Sequence, residues 1–158
     1  MTDLEFGTYL ESMLPGYAEE HARAGSMPDE GALQRARAQV TALVPDGVHT
    51  PDQYICVIEE EASGTAVGIL WFAKRDQGAN PTAFLYDIQI FEPFRRHGYA
   101  RQAFRVLEDR VRELGLSTIS LHVFGSNSAA RELYRKLGFQ ETHVMMNKTV
   151  LAQEAGGH

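Results

Sequence analysis

Two periods of apolar residues occur along the chain, and each predicts a different kind of element. Residues 3–24 carry an apolar stripe at helical spacing that Pro15 and Gly16 interrupt. A second stripe runs from Leu33 to residue 44, where Pro45 ends it. A hydroxyl residue, a proline and acidic residues at 26–30 are typical of a helix start. The N-terminal third therefore predicts a helix with a break and a second helix that begins near residue 26.

The middle of the chain has the composition and alternation of strands. Residues 53–60, 65–74 and 82–91 are rich in β-branched and aromatic residues. Residues 61–64 predict a hairpin turn, and residues 75–81 predict a second, polar turn. Side chains alternate along a strand, so one face of the third strand is expected to carry Phe84, Tyr86, Ile88 and Ile90. The other face is expected to carry Leu85, Asp87, Gln89 and Phe91.

The second half of the chain predicts a helix, a strand and another helix. The first helix follows Gly98 and ends near Gly115, with an apolar stripe of Tyr99, Ala103, Val106, Leu107, Val111 and Leu114. Residues 118–124 alternate as a strand, Asn127 is a good N-cap for the last helix, and residues 139–150 would supply one or two closing strands. Together the elements predict a single α+β domain over residues 1–150, followed by a flexible tail at 151–158. Its sheet is expected to be mixed and largely antiparallel, flanked by helices, with a central strand–helix–strand unit.

A basic turn joins the third strand to its helix, with the sequence Arg95-Arg96-His97-Gly98-Tyr99-Ala100. Backbone N–H groups at a helix N-terminus are unpaired and carry partial positive charge, so they bind phosphate well. Gly98 would let the backbone approach a phosphate without a Cβ in the way. The turn is therefore a candidate anion site. The alternative is a solvated basic turn without a ligand.

Composition narrows the class of protein. The 158 residues have a formal net charge of −6, which argues against non-specific binding to nucleic acid. No apolar run approaches the roughly 20 residues that span a bilayer. The single cysteine, Cys56, cannot form an internal disulfide, so a reducing cytoplasm is the expected compartment. Cys56 lies in an apolar strand, where a buried small hydrophobe is its expected role.

Two motifs carry a resemblance to a known family. Arg95-x-x-Gly98-x-Ala100 resembles the Q/R-x-x-G-x-G/A pyrophosphate loop of the GNAT superfamily of acyl-CoA-dependent N-acetyltransferases. A second motif of that family is similar to Asn127-x-x-Ala130-x-x-Leu133-Tyr134-x-x-x-Gly138-Phe139. The first motif alone is short, but the pair in this order and context is specific. The family usually begins with a strand, which is missing or very short here.

The resemblance implies an acetyl-CoA-dependent N-acetyltransferase that acts by direct transfer in a ternary complex. It implies that the main chain of Ile88, Gln89 and Ile90 pairs with the pantetheine arm of the cofactor, as an added strand would. It also implies that the backbone amides from Arg95 to Ala100 hold the pyrophosphate and that Asn127 contacts the arm. For Asn127 the alternative is a helix cap alone, and both roles are compatible.

The resemblance also implies catalytic roles. Tyr134 would protonate the departing thiolate; the alternative is a core tyrosine with its hydroxyl at the rim. His122 is a candidate base, with a structural histidine as an equal alternative. Asp87 and Gln89 are further candidates for the base. Asp87 would otherwise bind a cationic acceptor or be a polar strand-edge residue. Some members of the family use water and no residue base.

Two other functions stay open at this stage. A non-catalytic acyl-CoA sensor or regulatory module would keep the loop at residues 95–100 without needing Tyr134. An unrelated α/β binding domain would require both motifs to be coincidences. The six histidines lack metal-ligand spacing, so no metal is expected. The expected partners are a small-molecule or peptide amine and a second copy in a homodimer, with no nucleic acid and no membrane.

Overall fold

A computed structural model describes residues 1–150 except 26, 27, 29, 78 and 79. The predicted tail at 151–158, and Ser26, Met27 and Asp29 of the predicted helix start, lie outside the described residues. The elements in chain order are α1 (Asp3–Arg23), α2 (Ala32–Leu43), β1 (Gln53–Glu59), β2 (Ala66–Gln77), β3 (Asn80–Ile90), α3 (Tyr99–Glu113), β4 (Ile119–Leu121) and α4 (Ser128–Lys136). Short 3-10 turns occupy Gly47–His49 and Glu92–Phe94.

The sheet confirms the predicted fold class. Its strands lie in the order β1-β2-β3-β4. The first three are antiparallel, and β3 pairs with β4 in parallel. The chain between these two parallel strands contains α3, as the strand–helix–strand pattern requires. Among the described residues, α1 is the first element, and it starts at Asp3 behind the N-cap Thr2.

Two apolar cores lie on opposite faces of the sheet. Trp71, which is 2% exposed, packs with residues of α1 and α2 on one face. Phe104 of α3, which is 1% exposed, packs with Phe72 and Leu85 on the other face. Helices on both faces therefore cover the central strands, and burial of this apolar surface stabilises the fold.

The predicted break in the first helix is wrong, because α1 runs through Pro15 without interruption. Proline removes one helical hydrogen bond. Leu14 and Ala18 are buried on either side of it, so packing holds both halves of the helix in line. A capping box between Thr2 and Glu5 also satisfies amides at the start of the helix.

The apolar helical stripes lie where they were predicted, but some residues assigned to them are exposed and one buried residue was left out. α2 begins at Ala32, later than predicted, and Leu33 is 43% exposed. In α3, Val106 is 69% exposed, whereas Phe104, which the predicted stripe omitted, is buried. The stripe residues Ala103, Leu107 and Val111 are buried as predicted.

Several strand boundaries also differ from prediction. The polar turn predicted at 75–81 is instead mostly strand, because pairing continues through Arg75↔Thr82 to Gln77↔Asn80. The guanidinium carbon of Arg75 lies 4.6 Å from the centroid of the Phe84 ring, which is a cation–π contact between β2 and β3. The closing strands predicted at 139–150 are absent from those described residues. Cys56 is exposed, contrary to its predicted burial, because it lies on the edge strand β1 and lines an open cavity.

Candidate active site

A β-bulge in β3 changes which side chains share a face. The register passes from Trp71↔Asp87 to Phe72↔Leu85, so Tyr86 is an extra residue in β3. Tyr86 stacks on Trp71 with 4.6 Å between the ring centroids. As a result Leu85 and Ile88 pack in the same core, against α3. The strict alternation predicted for this strand is therefore wrong beyond Leu85.

Beyond the bulge, β3 and β4 no longer pair. β4 contacts only Ala83, Phe84 and Leu85 of β3. Residues 87–90 stay paired with β2 on their other side, through Trp71↔Asp87 to Gly68↔Ile90. Among the described residues, no strand pairs with the other side of residues 87–90, which we call the open edge. Ile88, Gln89 and Ile90, the residues predicted to bind pantetheine, lie along it.

Gly68 of β2 supports the open edge from behind. A Cβ on Gly68 would lie 2.3 Å from the carbonyl oxygen of Gln89, which no side chain tolerates. Only glycine therefore allows β2 to approach this part of β3 so closely. Sequence reasoning missed Gly68, although a lone glycine inside a strand signals a close backbone approach.

The basic turn leads from the open edge into α3. Arg95, Arg96 and His97 are exposed, and Arg96 has a φ of 67°. Gly98 is the N-cap of α3 with a φ of 84°, and no side chain of the described residues caps the helix. The first amides of α3 therefore have no side-chain acceptor. The turn has the exposed, uncapped helix start that the phosphate-binding prediction requires.

Two side chains of this turn form hydrogen bonds within the protein. The Nε of Arg95 donates to the Ile90 carbonyl at 3.0 Å. The Tyr99 hydroxyl donates to Glu60 in the β1–β2 hairpin at 2.5 Å. Tyr99 and Ala100 are half-buried. The hydroxyl of Tyr99 is thus engaged with Glu60, which leaves its amide for the predicted role in the loop.

Tyr134 lies on α4, half-buried between aromatic rings. Its ring centroid is 6.0 Å from that of Phe104 and 5.6 Å from that of Phe139. Burial, followed by the negative charges of Asp87 and Glu20, raises the pKa of Tyr134 to about 12. The hydroxyl therefore keeps its proton at neutral pH and can donate it, as a general acid must.

Asp87 faces α1, on the same side of the sheet as Trp71. The Tyr9 hydroxyl donates to Asp87 Oδ2 at 2.7 Å, and Tyr9 is only 2% exposed. Burial raises the pKa of Asp87, although hydrogen bonds from Tyr9 and the Ile88 amide act against that rise. Asp87 is therefore a fixed, half-buried carboxyl and not a loose polar group at the edge. Sequence reasoning missed Tyr9 because it read that residue only as part of an apolar stripe.

His122 was predicted inside a strand over residues 118–124, but it lies outside the observed strand. β4 ends at Leu121, so His122 is the next residue, and it is exposed. Its ring meets Phe124 edge-on at 4.9 Å, and Phe124 meets His21 of α1 edge-on at 5.0 Å. Burial, followed by the charge of His122, lowers the pKa of His21. This aromatic row, which prediction missed, joins α1 to the chain after β4.

Asn127 is the N-cap of α4, as predicted. Its Oδ1 accepts a hydrogen bond from the Ala130 amide at 3.1 Å. The side-chain NH2 remains for a further acceptor. Capping and the predicted contact with the pantetheine arm are therefore compatible.

One region of the molecule contains the open edge, the uncapped turn, Tyr134 and Asp87. Both the open edge and Asp87 belong to β3. In the part of the chain that the structure describes, no group of three His, Cys, Asp or Glu side chains could hold a metal ion. None of the described helices is long and apolar enough to cross a membrane. The chemistry available here consists of backbone hydrogen bonds, the phenols of Tyr134 and Tyr9 and the carboxyl of Asp87, each with a raised pKa.

Known proteins are similar to this chain in sequence and in fold. The profile described as "Acetyltransferase (GNAT) family" matches residues 15–139. The uncharacterized N-acetyltransferase YycN of Bacillus subtilis (strain 168) is 38% identical, over 91% of this chain and 92% of its own. Its crystal structure superposes with a TM-score of 0.88 and covers 96% of both chains. The uncharacterized N-acetyltransferase YdgE of the same organism is 29% identical, over 94% of each chain.

A third relative carries a more specific name. The ribosomal protein bS18-alanine N-acetyltransferase of Salmonella typhimurium (strain LT2) is 37% identical over 71 residues. That match spans 45% of this chain and 48% of the relative. The likeness is therefore confined to about half of each protein.

Proposed function

The chain belongs to the acetyltransferase (GNAT) family, and we propose that it transfers an acetyl group from acetyl-CoA to a primary amine, directly and in a ternary complex. Acyl transfer to amines is the general activity of this family. The observation that carries the finer proposal is the open edge of β3, which runs directly into the uncapped N-terminus of α3. An extended arm that ends in a pyrophosphate fits a strand edge followed by a helix start.

The cofactor would be held mainly by backbone groups. We propose that the main chain of Ile88, Gln89 and Ile90 pairs with the pantetheine amides, as in β-strand addition. The amides of the turn from Arg95 to Ala100 would hold the pyrophosphate, with Arg96 and His97 supplying exposed charge and hydrogen-bond donors. The NH2 of Asn127 would contact the arm near its thiol end.

The reaction needs a neutral amine, a stabilised oxyanion and a proton for the leaving thiolate. The amine nitrogen attacks the thioester carbonyl, and the tetrahedral intermediate collapses with cleavage of the carbon–sulfur bond. A free amide of the open edge would stabilise the oxyanion. Tyr134 would give its proton to the thiolate sulfur and regain one from solvent.

We propose Asp87 as the residue that accepts the amine proton, directly or through water. Its pKa is raised by burial, and its charge in turn raises the pKa of Tyr134, so the two groups lie within electrostatic reach. Paired groups whose pKa values are shifted in this way are typical of acid–base sites. His122, the first candidate on sequence, becomes the alternative base, since it lies just after β4 and an imidazole nitrogen can accept a proton.

The acceptor is proposed only as a primary amine, on a small molecule or a peptide. Asp87 and the nearby Glu20 carry negative charge on the side of the site where the acceptor would bind. This charge favours a cationic amine. The name of the bS18 relative describes a peptide amine for that protein, over a match of less than half of this chain. A cytoplasmic location stays a prediction that rests on the single cysteine.

The first test is calorimetric thermal unfolding with and without acetyl-CoA. A ligand at about 100 times its Kd adds roughly 2.7 kcal/mol to the folded state. At about 2–4 °C per kcal/mol for a domain near this size, that corresponds to a rise of about 5–11 °C in Tm. Gly98→Glu should abolish the rise. Gly64→Glu is the matched control, because Gly64 has a similar φ of 68° but lies in the β1–β2 hairpin.

A non-catalytic acyl-CoA sensor is the competing function, and the family relationship does not favour it. It predicts the same rise in Tm but no release of CoA with any amine. Thiol release with a panel of cationic amines separates the two. An unchanged Tm at millimolar acetyl-CoA would contradict both.

A further inference from the structure

The inward side of α1 ends in a carboxylate. Tyr17, Glu20 and His21 are three and four positions apart, so they lie on one side of the helix near its C-terminal end. Tyr17 packs against the core that α1 shares with the sheet, and Glu20 and His21 are also half-buried. The neighbouring Glu19 is exposed and pairs with Arg23 at 2.5 Å. An acid on the inward side of a helix is uncommon, because burial disfavours its charge.

Glu20 differs from the other partly buried acids in its lack of a partner. Four carboxyl side chains of the described residues are half-buried: Glu20, Glu60, Asp87 and Glu108. Tyrosine hydroxyls donate to Glu60 and Asp87, and an arginine pairs with Glu108. Within the described part of the chain, no hydrogen bond or salt bridge engages the carboxylate of Glu20. A half-buried charge without a partner is costly, so a ligand cation would stabilise it.

Glu20 lies close to the groups assigned to the chemistry. Burial is the first cause of the raised pKa of Asp87 and of Tyr134, and the negative charge of Glu20 adds to both. Charges in a partly solvated site act over roughly 10 Å, so Glu20 lies within about that distance of both groups. Tyr9 of the same helix donates to Asp87 at 2.7 Å, so α1 faces this end of β3 directly. A molecule that contacts both Asp87 and Glu20 therefore needs only a short chain between the two contacts.

Aromatic rings line the same side of the sheet. The ring centroids of Tyr17 and His21 are 4.3 Å apart, and Phe124 meets His21 edge-on at 5.0 Å. Tyr86 packs against the same core as Tyr17. The guanidinium carbon of Arg75 lies 6.0 Å from the centroid of the Tyr86 ring, so this ring already has a cation at its face. Rings beside a carboxylate bind an ammonium group through cation–π attraction and charge together.

We propose that Glu20 binds a second positive charge of the acceptor, so that the substrate is a diamine with a short chain between its ends. This inference rests on the proposed function, because it names the kind of amine that the site takes. The reacting nitrogen must be neutral, so a carboxylate that bound only this nitrogen would oppose the reaction. Glu20 instead holds the end that stays charged, while Asp87 accepts the proton of the end that reacts.

The second contact also limits the reaction to one end of the diamine. One nitrogen gains the acetyl group, its proton goes to Asp87, and CoA leaves as the thiol, so the ammonium group at Glu20 is unchanged. The product then carries a single ammonium group. When that group enters as the reacting amine, an uncharged amide faces Glu20, and the favourable contact is lost. We therefore expect the singly acetylated diamine as the main product.

The test compares two amines of equal length on the full-length chain. In 1,4-diaminobutane the far end is an ammonium group, and in 4-aminobutan-1-ol it is a neutral hydroxyl. Wild-type kcat/KM should favour the diamine by about tenfold or more, beyond the about twofold gain from its two reactive ends. Glu20→Gln keeps the shape but removes the charge, so the ratio should fall to about twofold. Glu19→Gln is the matched control, because Glu19 is exposed on the same helix, and it should keep the wild-type ratio.

Binding to the complex with CoA tests the same contact without turnover. Calorimetric titration should give a lower Kd for the diamine than for the amino alcohol, and Glu20→Gln should remove the difference. Calorimetric unfolding checks that each variant is folded, and mass spectrometry of the product should show one acetyl group.

Three results would overturn the inference. The wild type could use and bind the two amines equally, Glu20→Gln could keep the preference for the diamine, or Glu20→Gln could weaken both amines by the same factor, which is the pattern of a structural role. Failure of the proposed function gives a different result, because acetyl-CoA would then leave the Tm unchanged and neither amine would release CoA.

Discussion

The two halves of β3 have the same sequence character but opposite surroundings. Before the bulge, residues 83–85 pair on both sides, with β2 and with β4. After it, within the described part of the chain, residues 87–90 pair with β2 alone. Ala83 and Leu85 are buried, whereas residues 87–90 are half-buried. One strand therefore serves as core at one end and as a candidate binding edge at the other.

In this sheet, a single extra residue coincides with the point where β3 loses its second neighbour. Tyr86 is the inserted residue. β4, which pairs with the first half of β3, ends at Leu121 and does not pair with the second half. Backbone donors and acceptors of the second half are thereby left for a ligand, which costs sheet hydrogen bonds. The first half, and β2 behind both, hold these groups in place.

The largest expected effect is a loss of turnover, and it concerns chemistry next to residues 87–90, the open half of β3. Tyr134→Phe keeps the aromatic packing on Phe104 but removes the acidic proton. Turnover should fall by about 10²–10⁴, the usual contribution of a general acid, with acetyl-CoA affinity unchanged. Steady-state kinetics and calorimetric titration measure the two quantities. Tyr54→Phe, whose ring stacks on Phe72, is the control. Equal losses of turnover and affinity would remove Tyr134 as the acid.

The next effect contrasts the two halves directly. Gly68→Ala forces a methyl group against the Gln89 carbonyl in the open half, and acetyl-CoA affinity should fall about tenfold while stability falls by about 1–3 kcal/mol. Leu85→Ala, in the closed half, should cost about 2–5 kcal/mol of stability and leave affinity unchanged. Urea unfolding and calorimetric titration would show this crossed pattern. If both variants bind acetyl-CoA like wild type, the open edge is not the binding edge.

A smaller effect, on stability, tests how Tyr9 of α1 holds Asp87 in the open half of β3. Tyr9→Phe removes the hydroxyl that donates to Asp87. That hydrogen bond lowers the pKa of Asp87, so the pKa should rise further in the variant. A carboxyl with a raised folded-state pKa makes stability fall as pH rises above its unfolded value of about 3.9.

The stability lost in Tyr9→Phe should therefore be about 1–2 kcal/mol at pH 7 and should shrink toward pH 4, where Asp87 takes up its proton. Urea midpoints across this range measure it. Tyr17→Phe, whose hydroxyl contacts the exposed Gln39, should show no such pH dependence. If Asp87 is the base, the acidic limb of the pH–rate profile also moves to higher pH in Tyr9→Phe. A loss of stability that is the same at every pH would separate Tyr9 from the ionisation of Asp87.

The smallest effect is expected for His122→Ala. The side chain is exposed and lies beyond β4, so turnover should change by only about threefold or less and the acidic limb should persist. Asp87→Asn is the comparison and should remove that limb. Loss of the limb in His122→Ala alone would make His122 the base in place of Asp87.

Sequence reasoning predicted the fold because its strongest signals are local. The Arg95–Ala100 turn, the Asn127 cap and the helical stripe of α3 each follow from nearby residues, and the structure has all three elements. The roles assigned to Tyr134 and to the loop stay predictions. The family resemblance supplied the assignment, which spacing alone would not give.

The misses are properties of contacts between distant residues. Tyr9 and Asp87 are 78 positions apart, so no local pattern connects them. The bulge defeats alternation because one inserted residue reverses every face that follows. Leu85 and Ile88 are three positions apart, a spacing that a regular strand cannot place on one face, so only the structure reveals their shared core.

The stacking of Trp71 on Tyr86 provides a built-in optical reporter. Trp71 is the only tryptophan of the chain, and its ring is in contact with the one residue that opens the sheet. Its intrinsic fluorescence therefore reports on the surroundings of the bulge. Stopped-flow mixing with a cofactor would resolve whether the sheet is already open before binding or opens afterwards, without any label on the protein.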